Sequence, residues 1–153
     1  LFDVTVNDLT KNYCESRYAA AGSQVVSFES PWGKIGLAVC YDLRFPEQFR
    51  LLSKQGVKLV LVPAAFTYQT GKAHWEILLR ARAIENQLFV AASAQGGLHE
   101  NGRETWGHSC IISPFGDILA QKDSDVGFAC SRLDFSEQQK LRESFPVLTH
   151  TRL

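Results

Sequence analysis

Neither sign of charge dominates this sequence. Sixteen Lys and Arg residues balance sixteen Asp and Glu, and no segment gathers one sign, which argues against nucleic acid or a charged membrane surface as a partner. Long apolar runs are missing as well: none approaches the ~18 residues needed to cross a bilayer, and the opening lacks the pattern of a secretory signal. The expected location is cytoplasmic, with the mitochondrion as the other compartment left open. Cysteine is scarce, and Cys14, Cys40, Cys110 and Cys130 show no Cys-x-x-Cys and no paired Cys/His spacing, so a structural zinc site is not expected. His74 and Glu76 form only an isolated His-x-Glu pair. No metal and no cofactor is expected. A chain of 153 residues, rich in aliphatic side chains, can bury a core without disulfides, so the thiols are read as reduced. No linker, low-complexity tract or fixed-period repeat divides it.

The segment that organises the rest is Lys34-Ile35-Gly36-Leu37-Ala38-Val39-Cys40. An apolar run suited to a buried strand stops at a cysteine, and polar residues with Pro46 follow as they do where a helix begins. A strand-to-helix turn holds a nucleophile clear of its backbone and aims the next N–H groups at an oxyanion. On residue type alone, Cys40 reads as a small buried hydrophobe sooner than as a catalyst.

Periodicity supplies the remaining elements. Strands are predicted at Gln24–Glu29 and Lys34–Val39, joined through Ser30-Pro31-Trp32-Gly33, and the same turn chemistry recurs at Ser113-Pro114-Phe115-Gly116. A helix is predicted over Pro46–Gln55, then a strand over Val57–Val62 covered on both faces and ended by Pro63. Ala64–Gly71 reads as a loop at the carboxyl end of that strand, where layered α/β proteins contact ligands. The longest helix is predicted over Lys72–Gln87, with Trp75, Leu78, Leu79, Ala83 and Ile84 as its apolar stripe and Arg80, Arg82 and Glu85 off it. A strand over Leu88–Ala94, a glycine-bearing loop over Gln95–Gly107, strands near 108–113, 118–121 and 126–133, and a helix over Phe135–Ser144 complete the chain. Residues 1–22 read as extended and loop-like. The predicted class is α/β, with helices layered on a sheet.

Gly36 with Cys40-Tyr41-Asp42-Leu43-Arg44-Phe45-Pro46-Glu47 resembles the nucleophile signature of the nitrilase superfamily of carbon–nitrogen hydrolases. The similarity continues through Pro63-Ala64-Ala65-Phe66-Thr67, through Thr70–Gln87, and through Trp106-Gly107-His108-Ser109, and it is greatest to the Nit branch, which takes in deaminated glutathione amidases, omega-amidases and the nitrilase half of nitrilase–Fhit fusions.

That resemblance implies a four-layer αββα sandwich that forms homo-oligomers, with the helices after Cys40 and at 72–87 as interface elements. It implies hydrolysis of a small carboxylate-bearing amide through a cysteine thioester, releasing ammonia without metal or cofactor. Cys40 is then the nucleophile and Tyr41 the backbone oxyanion donor. Glu15, a solvated charge on residue type alone, matches a second active-site glutamate. Arg44 is either the receptor for a substrate carboxylate or a structural ion-pair partner of Asp42 or Glu47. Phe66 and Thr67, read locally as core and turn residues, become substrate-pocket candidates, and His74 and Trp75 could border the same pocket from the first turn of their helix.

The family domain is much longer, and Leu1-Phe2-Asp3-Val4 resembles the segment following the family's catalytic lysine. The expectation is therefore the C-terminal portion of one hydrolase domain over 1–153, with the general-base glutamate and the lysine upstream. The 153-residue chain alone is expected to be inactive. The alternative is a catalytically silent nitrilase-like interaction module or truncated fragment.

Overall fold

The apolar strands predicted before and after Cys40 lie side by side at the centre of one mixed sheet. The computed structural model describes residues 3–4 and 13–152. A short antiparallel pair, β1 (Asp3–Val4) and β2 (Tyr13–Cys14), comes first. The hairpin β3 (Val26–Ser30) and β4 (Gly33–Leu37) follows, then helix α1 (Pro46–Lys54), strand β5 (Leu59–Ala64), helix α2 (Tyr68–Asn86) and strand β6 (Phe89–Ala94). A second hairpin, β7 (Gly96–Leu98) and β8 (Glu104–Trp106), precedes β9 (Ser109–Ile112), β10 (Ile118–Lys122) and helix α3 (Phe135–Ser144). The six-stranded sheet runs β10-β9-β6-β5-β4-β3, with β4, β5 and β6 parallel and the outer pairings antiparallel.

The alternation of strand side chains puts Val60, Val62, Val90, Ala92, Cys110 and Ile112 on one face, against Phe49 and Leu52 of α1 and Trp75, Leu79 and Ala83 of α2. Most of these are fully buried, each contributing about 1.5–3 kcal/mol. Gly36 is required there because a Cβ would lie 2.9 Å from Leu52. Arg82, placed off the apolar stripe by periodicity, is instead only 5% exposed. Its guanidinium donates to Leu43 O at 3.0 Å, pairs with Glu85 at 3.0 Å and lies 5.6 Å from the centre of the Phe49 ring. α3 is fastened by Gln138, which donates to Lys58 O and Gln87 O.

Four sequence expectations change. Strand β5 continues through Pro63 to Ala64, because β4 has ended at Leu37, the partner of Leu61, and no neighbour on that side needs the missing N–H. The same strand is covered on one face only. Val26, Leu37, Leu61, Ala91 and Ile111 form an apolar row on the opposite face, where Val26 is 51% and Leu37 36% exposed. Helix α2 begins four residues early, at Tyr68, since Gly71 belongs to its first turn: a Cβ there would overlap Trp106 of β8. Residues 126–133 form no strand; Val126 and Phe128 are exposed, and no described strand supplies a hydrogen-bonding neighbour. Part of the extended reading of residues 1–22 concerns residues 1–2 and 5–12, which lie outside the described residues.

Among the described residues no helix is long and apolar enough to cross a membrane. All four cysteines are free.

Candidate active site

Beyond β4 the chain stays extended through Val39 and then reverses. Cys40 takes φ +46°, a left-handed value seldom adopted by residues with a side chain, and opens a single 3-10 turn over Cys40–Arg44. Asp42 holds the turn: Val39 N–H donates to its carboxylate at 2.8 Å, while Asp42 N–H donates to Val39 O at 2.9 Å. Phe45 is extended ahead of Pro46, which starts α1. The strand-to-helix turn expected from sequence is therefore present, tightened by a carboxylate.

Cys40 looks into a cavity of about 370 Å³ that Glu15, Tyr41, Arg44, Phe66 and Thr67 also line. The structure thus gathers six of the eight sequence candidates around one space. Glu15, Cys40 and Tyr41 border a second groove too, formed with Ala21–Val25 and Gln48. The turn carrying Glu15 is anchored by Ser16, whose N–H and hydroxyl donate to the Asp3 carboxylate at 3.0 and 2.7 Å. These bonds hold the Asp3 carboxyl below its usual range.

Arg44 lies between two aromatic faces, its guanidinium carbon 5.2 Å from the Tyr41 ring centre and 5.1 Å from that of Phe66. Among the described residues it forms no ion pair with Asp42 or Glu47, so the structural pairing left open by the sequence is not seen. Its Nη1 meets His74 Nδ1 at 3.3 Å.

His74 and Trp75 stand apart from the cavity. The early start of α2 moves them into its second turn, where His74 touches Arg44 and Trp75 is only 1% exposed. The Trp75 indole donates to His108 O at 2.8 Å, and its ring centre lies 5.0 Å from that of Phe66. Trp75 supports a cavity wall from behind.

Sequence reasoning missed Arg103, Gln95, Thr70 and Ala65, which line the cavity together with Val39, Pro63 and Ala64. The segment 95–107 was read as a loop long enough to cover a site; it forms the β7–β8 hairpin instead, and nothing in its pattern singled out Arg103. Burial pushes the Cys40 thiol above its ordinary range, with the Glu15 charge acting in the same direction; the Ala65 N–H bond, then Arg103 and Arg44, oppose them.

Residues 1–143 match the carbon-nitrogen hydrolase family, and the chain belongs to that family. Its relatives place it in the Nit branch. It is 43% identical to a deaminated glutathione amidase of Yersinia enterocolitica, over 99% of this chain and 53% of that protein. The crystal structure of the C. elegans NitFhit protein superposes with a TM-score of 0.90 at 42% identity, over 99% of this chain and 37% of that one. An amidase mutant from Nesterenkonia sp. AN1, described as carrying acrylamide added at the active site cysteine, matches with a TM-score of 0.68 at 29% identity, over 84% of this chain and 50% of that one. The chain spans about half the length of the Yersinia relative and less of the fusion protein.

Proposed function

We propose that this chain supplies the nucleophile-bearing part of an amidase acting on a small carboxylate-bearing amide, of the deaminated glutathione or 2-oxo acid omega-amide kind. The observation that carries the reading is Cys40, held in a strained turn at a cavity with Arg44 beside it. Cys40 sulfur attacks the amide carbonyl, and the tetrahedral oxyanion is stabilised by the Tyr41 N–H. The C–N bond breaks, the amine leaves with a proton, and water cleaves the thioester to restore the thiol and release a carboxylate. Arg44 offers a planar fork to the substrate carboxylate, its face fixed by Tyr41 and Phe66. The names of the amidase relatives and the cysteine adduct of the Nesterenkonia enzyme support this assignment.

Burial raises the thiol, so activation needs a base or further positive charge. In this proposal the glutamate base and the lysine come from upstream sequence, whose sheet covers the apolar row Val26, Leu37, Leu61, Ala91 and Ile111 and completes the αββα layers. Exposed Ile77 and Ile84 of α2 and Leu51 of α1 are then assigned to a homo-oligomer interface. The raised thiol also favours a second reading, a silent interaction module.

Release of the amine product, ammonia from omega-amides of 2-oxo acids and from neutral primary amides and cysteinylglycine from deaminated glutathione, decides between them, measured on the intact protein and on Cys40→Ala. Loss of release by at least about a thousandfold in the variant is expected. Undiminished release from Cys40→Ala would remove the proposed nucleophile, and an intact protein releasing nothing from any amide would favour the silent module.

A further inference from the structure

The hairpin β7–β8 is bonded to the end of β5 in a regular way. Three successive carbonyls, at Ala64, Ala65 and Phe66, each accept from the segment 95–106: from Gln95 N–H at 3.0 Å, from Arg103 Nη2 at 2.8 Å and from Trp106 N–H at 3.0 Å. Two of these donors are backbone groups that any residue would provide. The middle one is a side chain, and it is charged. Ala65, the residue it holds, is also the one whose N–H donates to the Cys40 sulfur. Arg103 therefore reaches the nucleophile in two ways, through the orientation of one residue and through a guanidinium lining the same cavity.

We infer that Arg103 is a positioning residue for Cys40: Gln95 fastens the peptide that carries the Ala65 N–H and Arg103 fastens the next one, so that Ala65 is held from both sides beside the sulfur with the guanidinium lining the same cavity. The inference rests on the reading of Cys40 as nucleophile. It adds an element supplied by the hairpin, where neither the nucleophile turn nor helix α2 would have indicated one. Among the described residues the charged groups facing the sulfur are Glu15 from the N-terminal turn, Arg44 from the 3-10 turn and Arg103 from the hairpin. The first opposes ionisation and the other two favour it. Among the described residues, removing Arg103 leaves Arg44 to oppose Glu15 and frees the Ala65 carbonyl to turn.

The test is the rate of iodoacetamide alkylation at Cys40, followed by mass spectrometry of the Cys40 peptide across a pH series, in the intact wild-type protein, Arg103→Met and Arg103→Lys. In Arg103→Met alkylation is expected to be roughly three- to tenfold slower at neutral pH, and to converge with wild type in alkali where both thiols are ionised. Arg103→Lys keeps the charge without the fork and should recover part of the loss. Superposable profiles would overturn the inference. So would uniformly faster alkylation at every pH, which is the signature of a cavity that has merely opened. The nucleophile reading fails separately, through amine release that survives Cys40→Ala whatever the Arg103 profiles show.

Discussion

His74 Nδ1 lies 3.3 Å from Arg44 Nη1, so the imidazole must carry its proton on Nε2 to accept from the guanidinium. Loss of that acceptor frees Arg44 to leave the slot between Tyr41 and Phe66. His74→Leu is accordingly expected to raise KM for a carboxylate-bearing amide severalfold more than for a neutral one. His74→Asn, which keeps an acceptor, should recover part of that difference. Equal changes of KM on both substrates would break the link between His74 and substrate capture.

Arg44→Lys keeps the charge while losing the planar group stacked between two rings. Its kcat/KM toward carboxylate-bearing amides is expected to fall about ten- to a hundredfold, mostly through KM, with neutral amides changed little. Steady-state kinetics on the paired substrates measures the contrast. A uniform loss on both would assign Arg44 to the architecture of the turn.

Trp75→Phe separates a cavity wall from its support. It removes the indole donor to His108 O and leaves a gap behind Phe66, so stability should drop by about 2 kcal/mol. Urea unfolding measures the loss. KM should stay within about twofold of wild type, since Trp75 does not line the cavity.

Gly71→Ala puts a Cβ where Trp106 already stands. Alanine would gain about 1 kcal/mol as a better helix former, but overpacking against β8 costs about 1–3 kcal/mol and the net effect should be a lower Tm. Unchanged or higher Tm would mean that the hairpin yields freely, against the bonding of its carbonyl partners on β5.

Cys110 is buried between β6 and the helices, and burial, with the Glu76 charge adding to it, pushes its thiol up from 9.0 to about 12. The fold thus favours the protonated thiol more than the unfolded chain does. That stability is fully present below about pH 9 and is lost as pH rises toward 12, to the extent of a few kcal/mol at most. Cys110→Ala should show a shallower alkaline decline in its urea midpoint than wild type, from a lower starting stability.

Where local pattern alone decides structure, the sequence was readable. The helix over Phe135–Ser144 has the bounds its periodicity and Pro146 imply, because Asp134 caps it through the N–H groups of Ser136 and Glu137. The turn between β3 and β4 likewise follows from Pro31 and Gly33. The run of apolar residues ending at Cys40 placed the sulfur, and the family resemblance placed Arg44, Phe66 and Thr67 around the cavity that the fold assembles.

What escaped depends on contacts between distant segments. Gly71 looks like the end of a loop until Trp106 is seen against it, and Arg82 looks exposed until the carbonyl of Leu43 turns toward it. Residues 126–133 have the composition of a strand, but a strand exists only when another offers it a ladder. Arg103 was hidden for the same reason. Its proposed role comes from the Ala65 carbonyl it holds and the cavity it lines, and no spacing in the chain marks either.

The left-handed backbone at Cys40 bears on any attempt to make this protein hardier. A side chain at φ +46° costs about 1 kcal/mol that glycine would not incur. Programmes that search for heat-tolerant variants by scoring each site for comfort will thus be drawn to position 40, and every improvement they find there discards the sulfur. With Cys40 as the proposed nucleophile, durability and chemistry compete at this one peptide unit, so robustness has to be sought in parts of the chain that do not hold it.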